Sequence, residues 1–285
     1  MISVFCQLEE RLLNPLFEVF DGGDFVLTSW KDVEEPLSIA EIFLEDPGKT
    51  AEAEDALRKA LQVIGSNAVP AVRTIPDEDW KFSYRRFFHT DVISQRLVVR
   101  PPWEEFQPAP GQSVLTLDPG MAFGTGRHET TRTCLEFIDE LAVEGCRTSL
   151  LDMGTGSGIL AIAACKLGFE KVDAFDNDPD AVSVAMENAS LNNVKIGFEV
   201  SDLEKNEKKA DVVVANILAP VLIEYAAEIA YSVNRTPSAR LILSGILATE
   251  YRNVAAAFER HGFEEMYSAL SGEWLSGIFR RAAGR

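Results

Sequence analysis

The chain has 285 residues, 46% hydrophobic and 25% charged, with a formal net charge of −18 at pH 7. That length admits one large domain plus a small one, and the acidic balance disfavours nucleic acid as a partner. No apolar run approaches the roughly 18 residues of a membrane span, the N-terminus lacks a basic signal-peptide region, and Cys6, Cys134, Cys146 and Cys165 are too scattered to suggest a metal site, so the expectation is a cytoplasmic protein without membrane association.

The acidity is uneven. Residues 1–70 carry 14 acidic and 5 basic side chains, a net −9 and half of the total. Such a field favours a basic partner. In this region "ISVFCQL" predicts a strand, and "EERLLNPLFEVF" a helix with Pro15 near its start or at a bend. "DFVLTSW" and "LSIAEIFL" predict two more strands. "TAEAEDALRKALQVIG" predicts an amphipathic helix, with Thr50 as N-cap and Gly65 as the stop. "AVPAVRTI" predicts a fourth strand. The order βαββαβ is that of a small ferredoxin-like α+β domain over 1–74.

"IPDEDWKFSYRRFFHT" breaks the pattern, and 75–95 is expected to be a linker with a short helix. From residue 96 onward, apolar strand-like runs alternate with helices. "TSLLDMG" precedes "GILAIAACKLG", "KVDAFDN" precedes "PDAVSVAMENASLN", and "ADVVVANI" precedes "LAPVLIEYAAEIAYSV". "ARLILSGI", the helix "ATEYRNVAAAFERHG" and a terminal hairpin follow. Continuous apolar strands between helices predict an α/β domain with a parallel sheet covered on both faces, and the hairpin adds antiparallel pairing at one edge.

Two glycine clusters compete for a ligand. "LDPGMAFGTGRHETT" resembles a phosphate loop, whereas "LLDMGTGSGILA" lies between a strand and a helix, where an open α/β sheet binds its ligand. Gly154, Gly156 and Gly158 have GxGxG spacing, not the dinucleotide GxGxxG. Asp152 would repel a pyrophosphate but can hold an ammonium group, which points away from NAD. Asp176, twenty residues beyond Gly156, ends the next strand and is suited to accept from both hydroxyls of an adenosine ribose. Asp178, before Pro179, reads as a helix cap. The constellation predicts S-adenosylmethionine. Asp202, after a predicted third strand, reads either as an adenine neighbour or as a solvated turn residue. Asn216 ends the fourth strand, where its partner is a substrate amine, a backbone carbonyl or a loop amide.

These residues resemble the PrmA-type ribosomal-protein lysine methyltransferases, which trimethylate protein eleven of the large ribosomal subunit. The resemblance runs from about Trp80 to the C-terminus, through "PPW", "LDPGMAFGTGRHETT", "LLDMGTGSGILAIAACKLG", "DNDPDAV", "ENASLNN", "DVVVANILA" and "LILSGIL". Tyr84 stands where that family often has a second Trp in the linker. The resemblance implies a seven-stranded Rossmann-like class I methyltransferase sheet over 96–285 and a substrate-recognition role for 1–74. It also implies cofactor contacts at Thr131, Gly154, Asp176 and Asn216. Asp152, Gly156, Phe123 and Thr130 are further cofactor candidates, with Thr130 and Thr131 expected on a loop over the methionine end. Asn216 Oδ1 and the Ile217 carbonyl are the candidates for orienting an attacking amine. His128 is expected in a structural or cofactor-side role. The expected activity is S-adenosylmethionine-dependent N-methylation of lysine or α-amino groups of that ribosomal protein. The alternatives are transfer to another protein or a small nucleophile, an inactive adenosyl-binding module, and a nicotinamide oxidoreductase.

Overall fold

The computed structural model describes residues 2–20, 25–30, 36–44, 46–74, 88–118 and 129–282. The chain divides into two units, Met1–Phe87 and Phe88–Arg285. The segment expected as a linker falls largely within 75–87, outside the described residues.

The first unit runs β1 (Ile2–Leu8), α1 (Leu13–Phe20), β2 (Leu27–Trp30), β3 (Ser38–Leu44), α2 (Thr50–Val63) and β4 (Ala71–Thr74). Its four strands pair antiparallel in the order β2-β3-β1-β4. Strand periodicity places Val4, Cys6 and Leu8 on one face with Ala40, Ile42 and Leu44, against Leu16 of α1 and Ala53, Leu57 and Leu61 of α2. On β1 and β3 the other face carries Ser3, Phe5 and the fully buried Glu41. Arg73 Nη2 donates to Glu41 Oε1 at 2.6 Å, and its guanidinium lies 4.8 Å from the Phe5 ring centroid. Pro15 sits in the first turn of α1, where its missing N–H leaves no helix bond unmade. Thr50 is not the cap. Its hydroxyl donates to Pro47 O, while Asp46 accepts from Gly48 N at the head of a preceding 3-10 turn. Gly65, at φ +69°, follows the end of α2.

The second unit opens with β5 (Asp91–Val92), β6 (Leu97–Arg100) and β7 (Ser113–Thr116), which form a separate three-stranded sheet. Then come α3 (Glu129–Val143), β8 (Ser149–Met153), α4 (Ile159–Lys166), β9 (Lys171–Asp176), α5 (Pro179–Leu191), β10 (Gly197–Val200) and β11 (Val212–Asn216). The chain finishes with α6 (Ala219–Glu224), α7 (Ala226–Ser232), β12 (Arg240–Leu247), α8 (Tyr251–Glu259), β13 (Phe263–Ser271) and β14 (Trp274–Arg281). The main sheet has seven strands in the order β10-β9-β8-β11-β12-β14-β13. The first five are parallel, and the terminal hairpin adds the antiparallel edge.

The central strands β8, β11 and β12 are buried on both faces, which explains their unbroken apolar runs. Leu150, Val212 and Val214 face α3 and α4, whereas Leu151, Met153, Val213 and Ala215 face α6, α7 and α8. Helix α3 differs from the sequence reading, which expects Thr130 and Thr131 on a loop. Cys134, Phe137, Ile138 and Leu141 recur at helical spacing and are buried against the sheet. The single helix expected from Leu218 breaks at Tyr225 (φ −101°, ψ 24°), giving α6 and α7.

Phe258 is fully buried, with Phe263 and Phe279 centroids both 6.4 Å away. Phe258→Ala is expected to lower unfolding free energy by ~3–5 kcal/mol. Urea denaturation followed by tryptophan fluorescence measures this; a loss below ~1 kcal/mol refutes the packing account.

Candidate functional site

The strand order reverses between β8 and β11: from β8 the chain proceeds outward to β9 and β10, and from β11 to β12. At such a switch point the carboxyl ends of two neighbouring strands diverge, leaving a crevice. Asp152 and Asn216 lie at those two ends.

On the β8 side, the residues after Met153 turn sharply. Gly154 N and Thr155 N both donate to Phe175 O at 3.0 Å, anchoring the turn to β9. Gly156 N donates to Asp176 Oδ2 at 2.9 Å, and Asp178 N donates to Asp176 Oδ1 at 3.1 Å. The Asp176 carboxylate is thereby fixed by two backbone amides, and each oxygen retains a lone pair. Asp178 caps α5 as expected, accepting from Asp180 N at 2.9 Å.

Asp152 is only 1% exposed. Its Oδ2 accepts from Thr155 Oγ1 at 2.6 Å, while Oδ1 is buried with no hydrogen-bond partner among the described residues. Burial pushes its carboxyl up to about 7. The Thr155 hydroxyl and the nearby backbone amide of Ala161 oppose the rise, and the charge on Asp176 adds to it. A buried, half-satisfied carboxylate next to a second acid calls for a cation.

On the β11 side, Asn216 Nδ2 donates to Thr131 Oγ1 at 3.4 Å. Thr130 and Thr131 occupy the first turn of α3, 2% and 1% exposed, rather than a loop. Ser244 Oγ, in β12, donates to Thr130 O at 3.3 Å and lies 2.7 Å from Ser276 Oγ of β14. These bonds hold the start of α3 against the sheet ends.

Ile217 joins the two sides. Gly154 has φ +73°, and a Cβ there would lie 2.6 Å from Ile217 Cγ2. Gly245 has φ +78°, and its Cβ would lie 2.6 Å from Ile217 O. Only residues without a side chain allow three strand ends to approach this closely. The pairing of β12 with β14 shifts register between Leu243 and Ile246, around the same glycine.

Asp152, Gly154, Gly156 and Asp176 are thus linked on one side, and Thr131, Asn216 and Ile217 meet them on the other. Phe123 and His128 lie outside the described residues. Asp202 accepts from Lys205 Nζ at 2.7 Å in the short turn after β10. The sequence reading missed Thr155, Ser244, Gly245 and Asn188. Asn188 sits within the "ENASLNN" stretch already noted, one turn before Asn192, and that spacing of buried amides was its available signal. Among the described residues no group of three or more His, Cys, Asp or Glu could hold a metal ion, and no helix is long and apolar enough to cross a membrane.

The glycine cradle and the orphaned Asp152 oxygen suit an adenosyl cofactor carrying an ammonium group. Comparison with known proteins points the same way. Residues 26–282 match the family model described as ribosomal protein L11 methyltransferase (PrmA). A ribosomal protein L11 methyltransferase of Geobacter sulfurreducens is 43% identical over 235 residues, covering 82% of this chain and 77% of the relative. One from Geobacter metallireducens is 45% identical over 207 residues, covering 73% and 68%. The crystal structure of the ribosomal protein L11 methylase from Lactobacillus delbrueckii subsp. bulgaricus superposes with a TM-score of 0.60 at 32% identity. That match spans 69% of this chain and all of the other. With a family model matched over most of its length and relatives above 40% identical over most of the chain, this chain belongs to the ribosomal protein L11 methyltransferase (PrmA) family, whose methyl donor is S-adenosylmethionine.

Proposed function

We propose that this protein transfers methyl groups from S-adenosylmethionine to lysine or α-amino nitrogens of ribosomal protein L11. The observation that carries the site assignment is the buried Asp152 oxygen that has no partner among the described residues, beside a glycine turn whose amide helps fix Asp176. In this reading Asp152 accepts from the cofactor ammonium and Asp176 from the ribose hydroxyls. Gly154 and Gly156 admit the cofactor to the backbone, and Thr130, Thr131 and Phe123 complete its surroundings. The large unit is assigned as a Rossmann-like class I methyltransferase domain over 96–285, supported by its strand order.

When bound, the cofactor supplies an electrophilic methyl group on a sulfonium. The residues of this chain then have to present a nucleophile in line with it. A lysine amine with an ordinary pKa of ~10.4 must first lose a proton, which burial near a cation favours. Asn216 commits Nδ2 to Thr131, which leaves Oδ1 to accept from the amine. The Ile217 carbonyl, seated on Gly245, is the second acceptor. Two acceptors restrict the amine's rotation and aim its lone pair, with the proton released to water.

Substrate recognition is assigned to 1–74, with 75–95 as the linker. The βαββαβ order and the sheet order β2-β3-β1-β4 support a ferredoxin-like unit. Its concentrated negative charge suits a basic ribosomal protein. Four free thiols accord with a cytoplasmic location.

Incubation with methyl-labelled cofactor and purified large-subunit ribosomal proteins tests the activity. Label on L11 is expected; label on none of them removes the ribosomal reading, and label only on another protein replaces the substrate.

Asn216→Ala is expected to lower kcat about a hundredfold while changing cofactor affinity far less. Single-turnover kinetics and calorimetry separate the two effects, and an unchanged kcat removes Asn216 from the amine site.

Asp152 carries a pH signature. An unfolded aspartate titrates near ~3.9, whereas folded Asp152 titrates at about 7. Between these values the native state holds a proton that the unfolded state has released, so this group's contribution to stability falls as pH rises. Asp152→Asn removes that penalty. Without cofactor, its melting temperature should exceed wild type by more at about pH 8 than at about pH 5. The same variant should bind S-adenosylmethionine at least about tenfold more weakly at about pH 8; calorimetry showing wild-type affinity would exclude the ammonium contact.

A further inference from the structure

Helix α5 carries two buried asparagines one turn apart. Asn188 is 1% exposed and Asn192 is 4% exposed. Asn192 acts locally on β7: its Oδ1 accepts from Thr116 N at 2.8 Å, and its Nδ2 donates to Thr116 O at 2.6 Å. It completes the backbone bonding at Thr116 much as an adjacent strand would.

Asn188 instead bridges two distant segments. Its Nδ2 donates to Ser157 O at 3.0 Å, inside the glycine turn. Its Oδ1 accepts from Asp118 N at 3.1 Å. Asp118 is the last described residue before 119–128, the other glycine-rich stretch. One amide therefore ties the turn after β8 to the point where that stretch begins. Its helix neighbours Ala185 and Ala189 fill buried positions with methyl groups. A buried amide at 188 is a costly alternative to another apolar residue unless both its bonds are made. Both are made, to backbone groups of the two glycine-rich stretches.

We infer that Asn188 is a positioning residue for the cofactor. It sets the glycine turn relative to Asp118, and it acts through Ser157 and Asp118 without touching the cofactor. Gly156 N, one residue before Ser157, is one of the two donors that fix Asp176, so a shift of the turn reaches the proposed ribose acceptor. This inference rests on the cofactor-site reading above.

The test compares full-length Asn188→Ala, Asn192→Ala and Asp176→Ala by calorimetry with S-adenosylmethionine, steady-state kinetics and thermal melting. Asn188→Ala is expected to raise Kd and KM for the cofactor about tenfold or more, with kcat at saturation within about threefold of wild type. Asn192→Ala should lower the melting temperature but keep Kd within about twofold. Wild-type Kd in Asn188→Ala, or equal weakening in both asparagine variants, overturns the inference. If Asp176→Ala also binds with wild-type affinity, the cofactor-site reading fails with it; weakening in Asp176→Ala alone defeats only the role of Asn188. Should Asn188→Ala not fold, Asn188→Asp is the substitute. Its carboxylate can accept from Asp118 N but donates to Ser157 O only when protonated. Its affinity deficit relative to wild type should shrink as that carboxyl protonates, the titration being followed by NMR from about pH 8 down to about pH 4, and a deficit that does not follow the titration overturns the inference.

Discussion

The convergence of three strand ends on Ile217 governs the rest of the site. Gly154 after β8 lies against its side chain, and Gly245 within β12 lies under its carbonyl. Both approaches are closer than a Cβ allows. Neighbouring parallel strands stand about 4.8 Å apart, and their connecting segments normally diverge as they leave the sheet. Here the absence of two side chains lets the segment after β11 fold down between its neighbours. Asp152 and Asn216 consequently face one crevice.

The polar bonds around this point form a shell with a division of labour. The β8–β9 side is held by backbone donors: Phe175 O receives Gly154 N and Thr155 N, and Asp176 receives Gly156 N and Asp178 N. The β11–β12 side is held by hydroxyls and an amide: Asn216, Thr131, Ser244 and Ser276. Beneath both lie central strands buried on each face, with Val212, Val213 and Val214 fully inaccessible. A rigid apolar base lets a few polar groups be placed without local flexibility of the strands. Among the described residues of the crevice, Asp152 Oδ1 is buried without a partner, and that is what motivates the ammonium contact proposed there.

Much of this was legible in the sequence because its signals are local. The apolar runs of β8 and β11, the glycine spacing and the Asp178–Pro179 cap announce themselves within a few residues. Helix α3 was not legible in the same way. Its first turn, Glu129–Thr130–Thr131, follows a glycine-rich stretch, and its two threonines are nonetheless buried. Strand β5 has two residues, β6 and β7 four each, too short for periodicity to register. The break at Tyr225 arises within an otherwise continuous helical pattern. Asn188 was hidden for a deeper reason: its partners lie 31 and 70 residues away, and a long-range hydrogen bond has no compositional signature. The same limit applied to Gly245, whose neighbour is set only by sheet order.

Asp152 has a consequence for turnover. The amino-acid tail that it is proposed to hold survives methyl transfer unchanged, because the reaction alters only the sulfur. Its attraction therefore favours spent and fresh cofactor alike and cannot help the enzyme discard the former. Discrimination between them has to come from groups near the sulfur, where a positive charge disappears. Burial also raises the Asp152 carboxyl to about 7, so capture of an ammonium there would expel a fraction of a proton to the buffer, and departure of the demethylated product would take it back. Each catalytic cycle would then carry a small proton pulse in and out, separate from the proton lost by the methylated amine.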